Sequence, residues 1–138
     1  MKKIITFLRK YLDRRGILLY NAITGGDRMS ITSDLIRGNT DTIILSCLEN
    51  GDSYGYKINK TVSAVAGGSY EMKEATLYTA FKRLEESGCI TSYWGEETTG
   101  ARRRYYKITE QGRAVLAQLR RDWEDSKAII DKLTKGNS

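Results

Sequence analysis

The most constraining feature of the chain is a helical pattern that passes directly into two short aromatic strands. The segment Lys73–Ser87 carries large apolar side chains at helical spacing, namely Leu77, Phe81 and Leu84. Gly88 ends this pattern, and Ile90–Trp94 and Arg103–Ile108 follow with the aromatic and β-branched residues typical of strands. Residues Glu96–Gly100 form the turn between them. The sequence therefore predicts a helix followed by a basic β-hairpin.

Two further helices are predicted before this segment and one after it. The first, which ends near Asn50–Gly51, has the apolar residues Leu35, Ile36, Ile43, Ile44, Cys47 and Leu48. The second is capped by Asp52 or Ser53 and ends at Gly67–Gly68. Its apolar residues are Tyr54, Ile58, Val62 and Val65. The last helix runs from Glu110 to Lys135. This order predicts a mainly α fold with a small β-hairpin, a winged helix-turn-helix followed by a C-terminal helix.

The predicted C-terminal helix carries an apolar stripe that a small domain has little core to cover. Its positions, spaced 3, 4, 3, 4 and 3 residues apart, are Leu116, Leu119, Trp123, Ser126, Ile130 and Leu133. This heptad seam indicates a homodimer in which the helix packs on the first or the last helix of a second subunit. The alternative is a helix packed on its own domain. The interface residues we predict are Leu116, Leu119, Trp123, Ile130 and Leu133.

Three segments are expected along the chain: a basic N-terminal extension over residues 1–30, a winged-helix domain over 31–108, and a dimerisation helix with a tail over 109–138. Residues 1–30 break their apolar pieces with Arg9–Lys10 and Asp13–Arg15, so they lack the apolar stretch of a signal peptide. One interpretation is an arm that binds a membrane surface, DNA or a partner. The interpretation we prefer is a loosely ordered extension, or one that lies upstream of a natural start at Met29.

The net charge of +6 is unevenly distributed along the chain. Residues 1–28 contain seven Lys/Arg and two Asp/Glu, whereas residues 29–138 contain sixteen and fifteen. Cationic residues of the nearly neutral domain cluster at Lys82–Arg83 and at Arg102–Arg104. These positions lie in the predicted third helix and the hairpin, the parts of a winged helix that contact DNA. The pattern indicates a local electrostatic footprint rather than a generally basic protein.

The residue types present argue against catalysis and against a metal centre. The chain has no histidine, which removes the usual general base and the commonest metal ligand. Its two cysteines, Cys47 and Cys89, lie far apart and have no neighbouring ligand residues. We expect two reduced, buried thiols in a cytoplasmic protein without cofactor or metal. No apolar run approaches the ~20 residues that a membrane span requires.

Six short motifs follow one another along the chain: Tyr54–Ile58, Thr76–Tyr78, Lys82–Glu85, Gly88–Ile90, Arg102–Tyr106 and Ile108–Gly112. In this order they resemble the PadR family of winged-helix transcriptional regulators. The similarity covers roughly residues 34–135, and the single helix after the hairpin resembles the family's compact subgroup. The resemblance implies a dimer that represses transcription and releases DNA when a small, often aromatic, molecule or a stress signal intervenes.

Three positions of the third helix depart from the family pattern. Lys73 stands where members often have a serine that caps the helix, Ala75 replaces a glycine, and Thr79 replaces a proline. A lysine side chain cannot accept the hydrogen bond from a backbone N–H that a capping serine accepts. These positions lie on the surface that would face DNA bases, so the departures affect the operator sequence rather than the fold.

The candidate DNA contacts follow from which side of this helix faces outward. Lys73, Thr76 and Thr79 are candidates for base edges because they lie near the start of a recognition helix. Tyr78, Lys82 and Lys57 are candidates for phosphate contacts. Arg102 and Arg103 are expected to enter a minor groove or to hold the backbone.

Each assignment has a structural alternative. Lys82 and Arg83 could form a solvated helix face that pairs with Glu85 or Glu86. At least one arginine of the Arg102–Arg104 run is expected to pack structurally, and Tyr105 or Tyr106 to enter the core. Trp123 is the candidate ligand-binding residue because the family resemblance implies a tryptophan stacking flat aromatic ligands between subunits. Its alternative role is to fill the dimer core.

Together these features predict a sequence-specific DNA-binding transcriptional regulator, a ligand- or stress-responsive repressor that acts as a homodimer on double-stranded DNA. The alternative is a winged-helix protein-interaction module that does not bind DNA.

Overall fold

The computed structural model describes residues 34–96, 100 and 102–135. Residues 40–135 belong to one compact unit, and residues 34–39 belong to another, where 34–37 form a helical turn. Among the described residues, the elements of the larger unit are α1 (Thr40–Leu48), β1 (Ser53–Tyr54), α2 (Gly55–Val65), α3 (Glu74–Glu86), β2 (Ile90–Trp94), β3 (Arg104–Ile108) and α4 (Glu110–Lys135). The predicted fold class is confirmed: a mainly helical unit with a small antiparallel sheet.

The sheet is a hairpin to which one very short strand is added. The strand order is β1-β3-β2, and both pairings are antiparallel. In the hairpin, Ile90 lies opposite Ile108 and Trp94 lies opposite Arg104. The sequence did not predict β1, because two residues are too few to show the alternation of a strand.

The core lies between the apolar faces of α1, α2 and α3 and the inner face of the sheet. Its fully buried side chains include Phe81, Ile44, Leu45, Leu48, Ile58, Met72, Ile90 and Leu116. Phe81 stacks on Tyr106 with ring centroids 3.8 Å apart, which fixes α3 against the hairpin. Of the two tyrosines considered for the core, Tyr106 is buried and Tyr105 is half-buried.

Helix α2 differs from the prediction at its N-cap and in its last turn. Neither Asp52 nor Ser53 caps α2: its N-cap is Tyr54, which makes no side-chain cap hydrogen bond. Ser53 is instead buried in β1 opposite Tyr106, because the short strand takes up the backbone before the helix begins. The expected inward position of Val65 was also wrong, since its side chain is 84% exposed in the last turn of α2.

The junction between α3 and β2 is a glycine-dependent turn. Gly88 has φ +77°, and the Cys89 N–H donates to the Leu84 carbonyl while the Gly88 N–H donates to that of Glu85. This is the Schellman arrangement that ends a helix at a left-handed residue. The predicted stop at Gly88 therefore has a backbone cause.

The start of α4 is tied to the same turn. The Thr109 hydroxyl accepts the Gly112 N–H at 2.9 Å, the usual geometry of a helix N-cap, and donates to the Gly88 carbonyl at 2.7 Å. The Gln111 amide donates to the Ser87 carbonyl at 2.8 Å. Gly112 lies so close to Cys89 that a Cβ at this position would overlap its carbonyl oxygen.

Helix α4 packs on its own unit only over its first part. Leu116 is 1% exposed, so the interface role predicted for it needs correction: it belongs to the core of its own chain. Leu119 is half-buried, and every residue from Arg120 to Lys135 is exposed. The cysteines are both free thiols; Cys89 is buried, whereas Cys47 is half-buried and burial raises its pKa.

Candidate nucleic-acid interface

Helix α3 turns its apolar face inward, as the sequence predicted. Leu77, Phe81 and Leu84 are between 1% and 3% exposed. The outward side carries Ala75, Thr79 and Lys82, which are all exposed, and Thr76 is half-buried beside them. The outward face of α3 thus combines small and polar side chains, and hydroxyl and ammonium groups are among those that can hydrogen-bond base edges.

The beginning of α3 has one lysine close to two carboxylates. Lys73 is the N-cap residue and makes no side-chain cap hydrogen bond. It lines a groove between α2 and α3 that also contains Glu71 and Glu74. The positive end of the helix dipole stabilises the negative charge of Glu74. The carboxylates of Glu71 and Glu74 nevertheless repel a phosphate at this end of the helix. Lys57, also exposed, lies in the first turn of α2.

The hairpin places cationic side chains beside α3. Here a cleft of about 510 Å³ opens, which we call the wing cleft; its lining includes Arg102, Arg103, Arg104, Trp94, Tyr56 and Tyr78. Among the described residues, this lining contains three arginines and no carboxylate. Tyr78 is 50% exposed and also lines the grooves that contain Lys73 and Lys82. The structure thus gathers five of the predicted contact residues around Tyr78: Lys73, Lys82, Arg102, Arg103 and Tyr78 itself.

The three arginines of the hairpin have different surroundings. The Arg104 guanidinium donates to Ser92 at 2.8 Å and forms an ion pair with Glu85 at 3.3 Å, so it ties β3 to α3. The Arg103 guanidinium lies 4.7 Å from the Tyr54 ring centroid, and that of Arg102 lies 5.9 Å from the Trp94 ring centroid. Arg104 is therefore the structural arginine that the alternation of a strand required, whereas Arg102 and Arg103 lie against aromatic rings and line the wing cleft.

Arg83 is also occupied within the protein. Its guanidinium pairs with Asp41 on α1, and the hydrogen bond to that carboxylate raises the pKa of Arg83. The alternative in which Arg83 pairs with Glu85 or Glu86 was thus wrong about the partner, because those carboxylates lie on its own helix and Asp41 lies on the helix packed beside it. Lys82 lines the groove next to Tyr78, and the lining of this groove also includes Glu85 and Glu86.

The outer face of the sheet carries a row of tyrosines. Tyr54 meets Tyr105 edge to face, and Tyr105 stacks on Tyr93 with centroids 5.6 Å apart. The Tyr93 hydroxyl donates to Asp52 at 2.6 Å, and this bond raises its pKa. Burial raises the pKa of Tyr106 on the other face. The phenols of Tyr93 and Tyr106 therefore stay neutral at physiological pH.

Two exposed aromatic residues were missed from the sequence. Tyr56 is 70% exposed and Trp94 is 54% exposed, and both line the wing cleft. The position of Trp94 could have been inferred from the alternation of its strand. Trp94 lies opposite Arg104 and on the same face of the strand as Ser92. Tyr56 gave no such signal, because its place depends on the start of α2 after β1.

The far half of α4 presents a second exposed surface. Trp123 is 42% exposed, Ile130 is 54% exposed and Leu133 is 78% exposed. Ile129, which lies outside the predicted heptad seam, is 56% exposed and widens the stripe. A protein of this size rarely leaves so many large apolar residues together on one solvated helix.

In the described part of the chain, no helix is both long and apolar enough to cross a membrane. Nor do the described residues contain a cluster of carboxylates and cysteines suited to a metal ion. The candidates that the structure presents are therefore the surface around Tyr78 and the exposed stripe of α4.

Comparison with known proteins identifies the family of this fold. The model of the transcriptional regulator PadR-like family matches residues 44–118. An uncharacterised protein of Lysinibacillus sphaericus is 42% identical over 106 residues, which are 77% of this chain and 97% of that protein. A transcriptional regulator from Clostridium thermocellum is 51% identical, with a TM-score of 0.68 over 74% of this chain and 96% of the other. A PadR family regulator from Clostridium difficile R20291 is 36% identical, with a TM-score of 0.60 over 69% and 97%. The chain belongs to the PadR-like family of transcriptional regulators.

Proposed function

We propose that this protein is a sequence-specific DNA-binding repressor that acts as a homodimer in the cytoplasm and responds to a small aromatic effector. The observation that carries the proposal is the wing cleft, where arginines and aromatic rings flank the outward face of α3 and the described lining holds no carboxylate. Such a surface attracts a polyanion although the unit as a whole is nearly neutral.

In this proposal α3 enters the major groove. Lys73, Thr76 and Thr79 reach base edges, and the threonines either hydrogen-bond a base or contact a thymine methyl. Lys57, Tyr78 and Lys82 contact phosphates and fix the register. Arg102 and Arg103 extend from the hairpin to the adjacent DNA backbone or minor groove. Trp94 and Tyr56, which form walls of the cleft, pack against the same DNA strand.

Replacing Lys82 or Arg103 with alanine should weaken binding to every duplex. Because phosphate contacts carry no sequence information, we expect each variant to lose roughly tenfold in affinity near physiological salt and to reduce the salt slope by about one. Mobility-shift titrations at several salt concentrations measure both quantities. Lys107→Ala is the matched control, because this exposed lysine of β3 is not among the residues that line the wing cleft. Unchanged affinity in both test variants would exclude this surface.

The homodimer is proposed from the exposed stripe of α4. Leu119, Trp123, Ile130 and Leu133, with Ile129 added, would pack on the last or the first helix of a second subunit. A symmetric pair presents two copies of α3 to a two-fold operator, about 34–36 Å apart if they occupy successive major grooves. Bound across a promoter, such a dimer obstructs transcription.

The effector is proposed to stack on Trp123 between the subunits. The indole is 42% exposed in one protomer, and Lys127 lies 5.9 Å from its ring centroid, where a cation would favour an anionic aromatic ligand. The alternative, that Trp123 fills the dimer core, predicts no free space for a ligand.

Planar drugs or phenolic acids should quench the fluorescence of Trp123. We expect quenching to persist in Trp94→Phe protein and to disappear in Trp123→Phe protein, where Trp94 alone emits. Steady-state titration of the two variants separates these signals. Quenching that survives in Trp123→Phe protein and vanishes in Trp94→Phe protein would assign the ligand to the wing cleft instead.

One observation favours the second candidate, a winged-helix interaction module without DNA affinity. Residues 29–138 carry sixteen Lys/Arg and fifteen Asp/Glu, a balance that attracts DNA only locally. A pull-down of random genomic fragments by the purified protein separates the candidates. Recovery of an enriched motif supports the repressor and supplies its operator, whereas recovery of no fragment supports the interaction module.

A further inference from the structure

Two arginines of α4 converge on Glu49, which directly follows α1. The Arg120 guanidinium meets the Glu49 carboxylate with both nitrogens, at 2.7 Å and 3.3 Å, and its second nitrogen also contacts the Ser46 hydroxyl at 3.2 Å. Two helical turns earlier, the Arg113 guanidinium donates to the Glu49 backbone carbonyl at 3.0 Å. We call these contacts of Glu49 with Arg113 and Arg120 the α1–α4 clamp.

The clamp lies where the support of α4 ends. Leu116, between the two arginines, is buried, and Leu119 is half-buried. From Arg121 to Lys135 all side chains are exposed, and the ion pairs found there, such as Lys127 with Glu124, stay within the helix. A buried leucine fixes where the helix touches the unit. Two arginines that lie two turns apart and converge on one residue also fix its direction.

We propose that the α1–α4 clamp sets the angle between the DNA-binding unit and the far half of α4, and thereby the spacing of operator half-sites that the dimer accepts. This inference rests on the proposed function, because it requires two units joined through α4. It makes Glu49 and Arg120 positioning residues that determine specificity without touching DNA.

The lever that the clamp controls is long enough to matter. Residues 120–135 of a helix extend about 22 Å at the usual rise per residue. A rotation of roughly 10° at Arg120 would therefore move the far end by about 4 Å, which is comparable with the ~3.4 Å rise of one base pair. Because each base pair also rotates the next half-site around the duplex, a small change of angle alters which spacing both copies of α3 can engage together.

Ionisation keeps the clamp formed at physiological pH. The hydrogen bond from Arg120 is the main cause that lowers the pKa of Glu49, so the carboxylate remains charged well below neutrality. A carboxyl group whose pKa is lower in the folded than in the unfolded protein stabilises the fold at pH values above its ordinary pKa. This stabilisation is lost as the pH falls through the pKa of the folded protein. The clamp should therefore open only in acid.

Selection from a random duplex library tests the inference and does not require a known operator sequence. We expect wild-type protein to enrich paired half-sites at one dominant spacing. Glu49→Gln and Arg120→Gln should broaden the distribution by one or two base pairs and weaken the best wild-type site by roughly two- to fivefold. Arg121→Gln is the matched control, because the Arg121 guanidinium bonds to Gln118 of its own helix at 2.7 Å.

Two further measurements distinguish positioning from a loss of structure. Affinity for a duplex with one half-site and the sedimentation mass should be unchanged in Glu49→Gln, which remains informative if the arginine variant unfolds. If wild-type protein selects paired sites and Glu49→Gln protein keeps the same spacing and affinity, the proposed role of the clamp is wrong, while the proposed function stands. A wild-type protein that selects no paired sites overturns the proposed function and this inference together.

Discussion

Gly112→Ala should destabilise the protein by about 3 kcal/mol or more and lower its unfolding midpoint by on the order of 10 °C. Helix propensity alone favours alanine over glycine by about 1 kcal/mol inside a helix, so a simple propensity argument predicts the opposite sign. Sterics decide the outcome here, because the new Cβ would overlap the Cys89 carbonyl oxygen and the Ile108 side chain. Relief requires α4 to move away from the turn after α3, which breaks the contacts of Thr109 and Gln111 with that turn.

Gly51→Ala provides the matched control for this prediction. Nothing lies within 4 Å of a Cβ at residue 51, and Gly51 is absent from the positive-φ glycines found in the described residues. We expect its unfolding free energy to change by less than about 1 kcal/mol, towards greater stability if at all. Thermal and urea unfolding compare the two variants. If Gly112→Ala protein proves as stable as wild type, the close approach of α4 to Cys89 is wrong.

Ile130→Asp should convert the protein to a monomer. Burying one such side chain at an interface contributes about 2 kcal/mol, and two-fold symmetry doubles the loss. The dissociation constant should therefore rise by roughly a thousandfold or more, since the substituted carboxylates would also be buried without partners. Sedimentation measures the mass, and binding to a paired operator should fall while binding to one half-site persists.

Ala128→Asp is the control for Ile130→Asp. It adds the same charge two residues away, but residue 128 projects from the opposite side of α4, away from the stripe. We expect this variant to sediment as wild type. A dimeric Ile130→Asp protein would exclude the α4 stripe as the interface, and a monomeric wild-type protein would exclude the proposed dimer itself.

The elements that the sequence predicted well are those with a strong local pattern. Helix α3 was predicted within one residue at each end. Its three apolar residues at helical spacing indicate the helix, and the glycine that follows them allows the left-handed turn that ends it. The first predicted helix was less accurate, since Gly38 and Asn39 interrupt it between residue 37 and Thr40. The predictions for residues 1–30 and for a start at Met29 lie outside the described residues.

The candidate site was only partly predictable. Side-chain direction on α3 follows from periodicity, so Thr79 and Lys82 could be placed outside and Leu77 inside. The wing cleft could not be foreseen, because it needs the start of α2, the middle of α3 and both hairpin strands at once. Leu116 shows the same limit: it belongs to the same heptad seam as Leu133, yet one is buried and the other is 78% exposed.

The sequence by itself determined which face of α3 is apolar and that Gly88 ends this helix, because these properties depend on residues within one or two turns of each other. Only the tertiary structure decided which charges meet. Arg83 finds Asp41 across 42 residues, Arg104 finds Glu85 across 19, and Arg120 finds Glu49 across 71. Such pairings depend on how the helices cross once the core has formed. Which arginines form ion pairs within the protein is therefore a property of packing, not of local pattern.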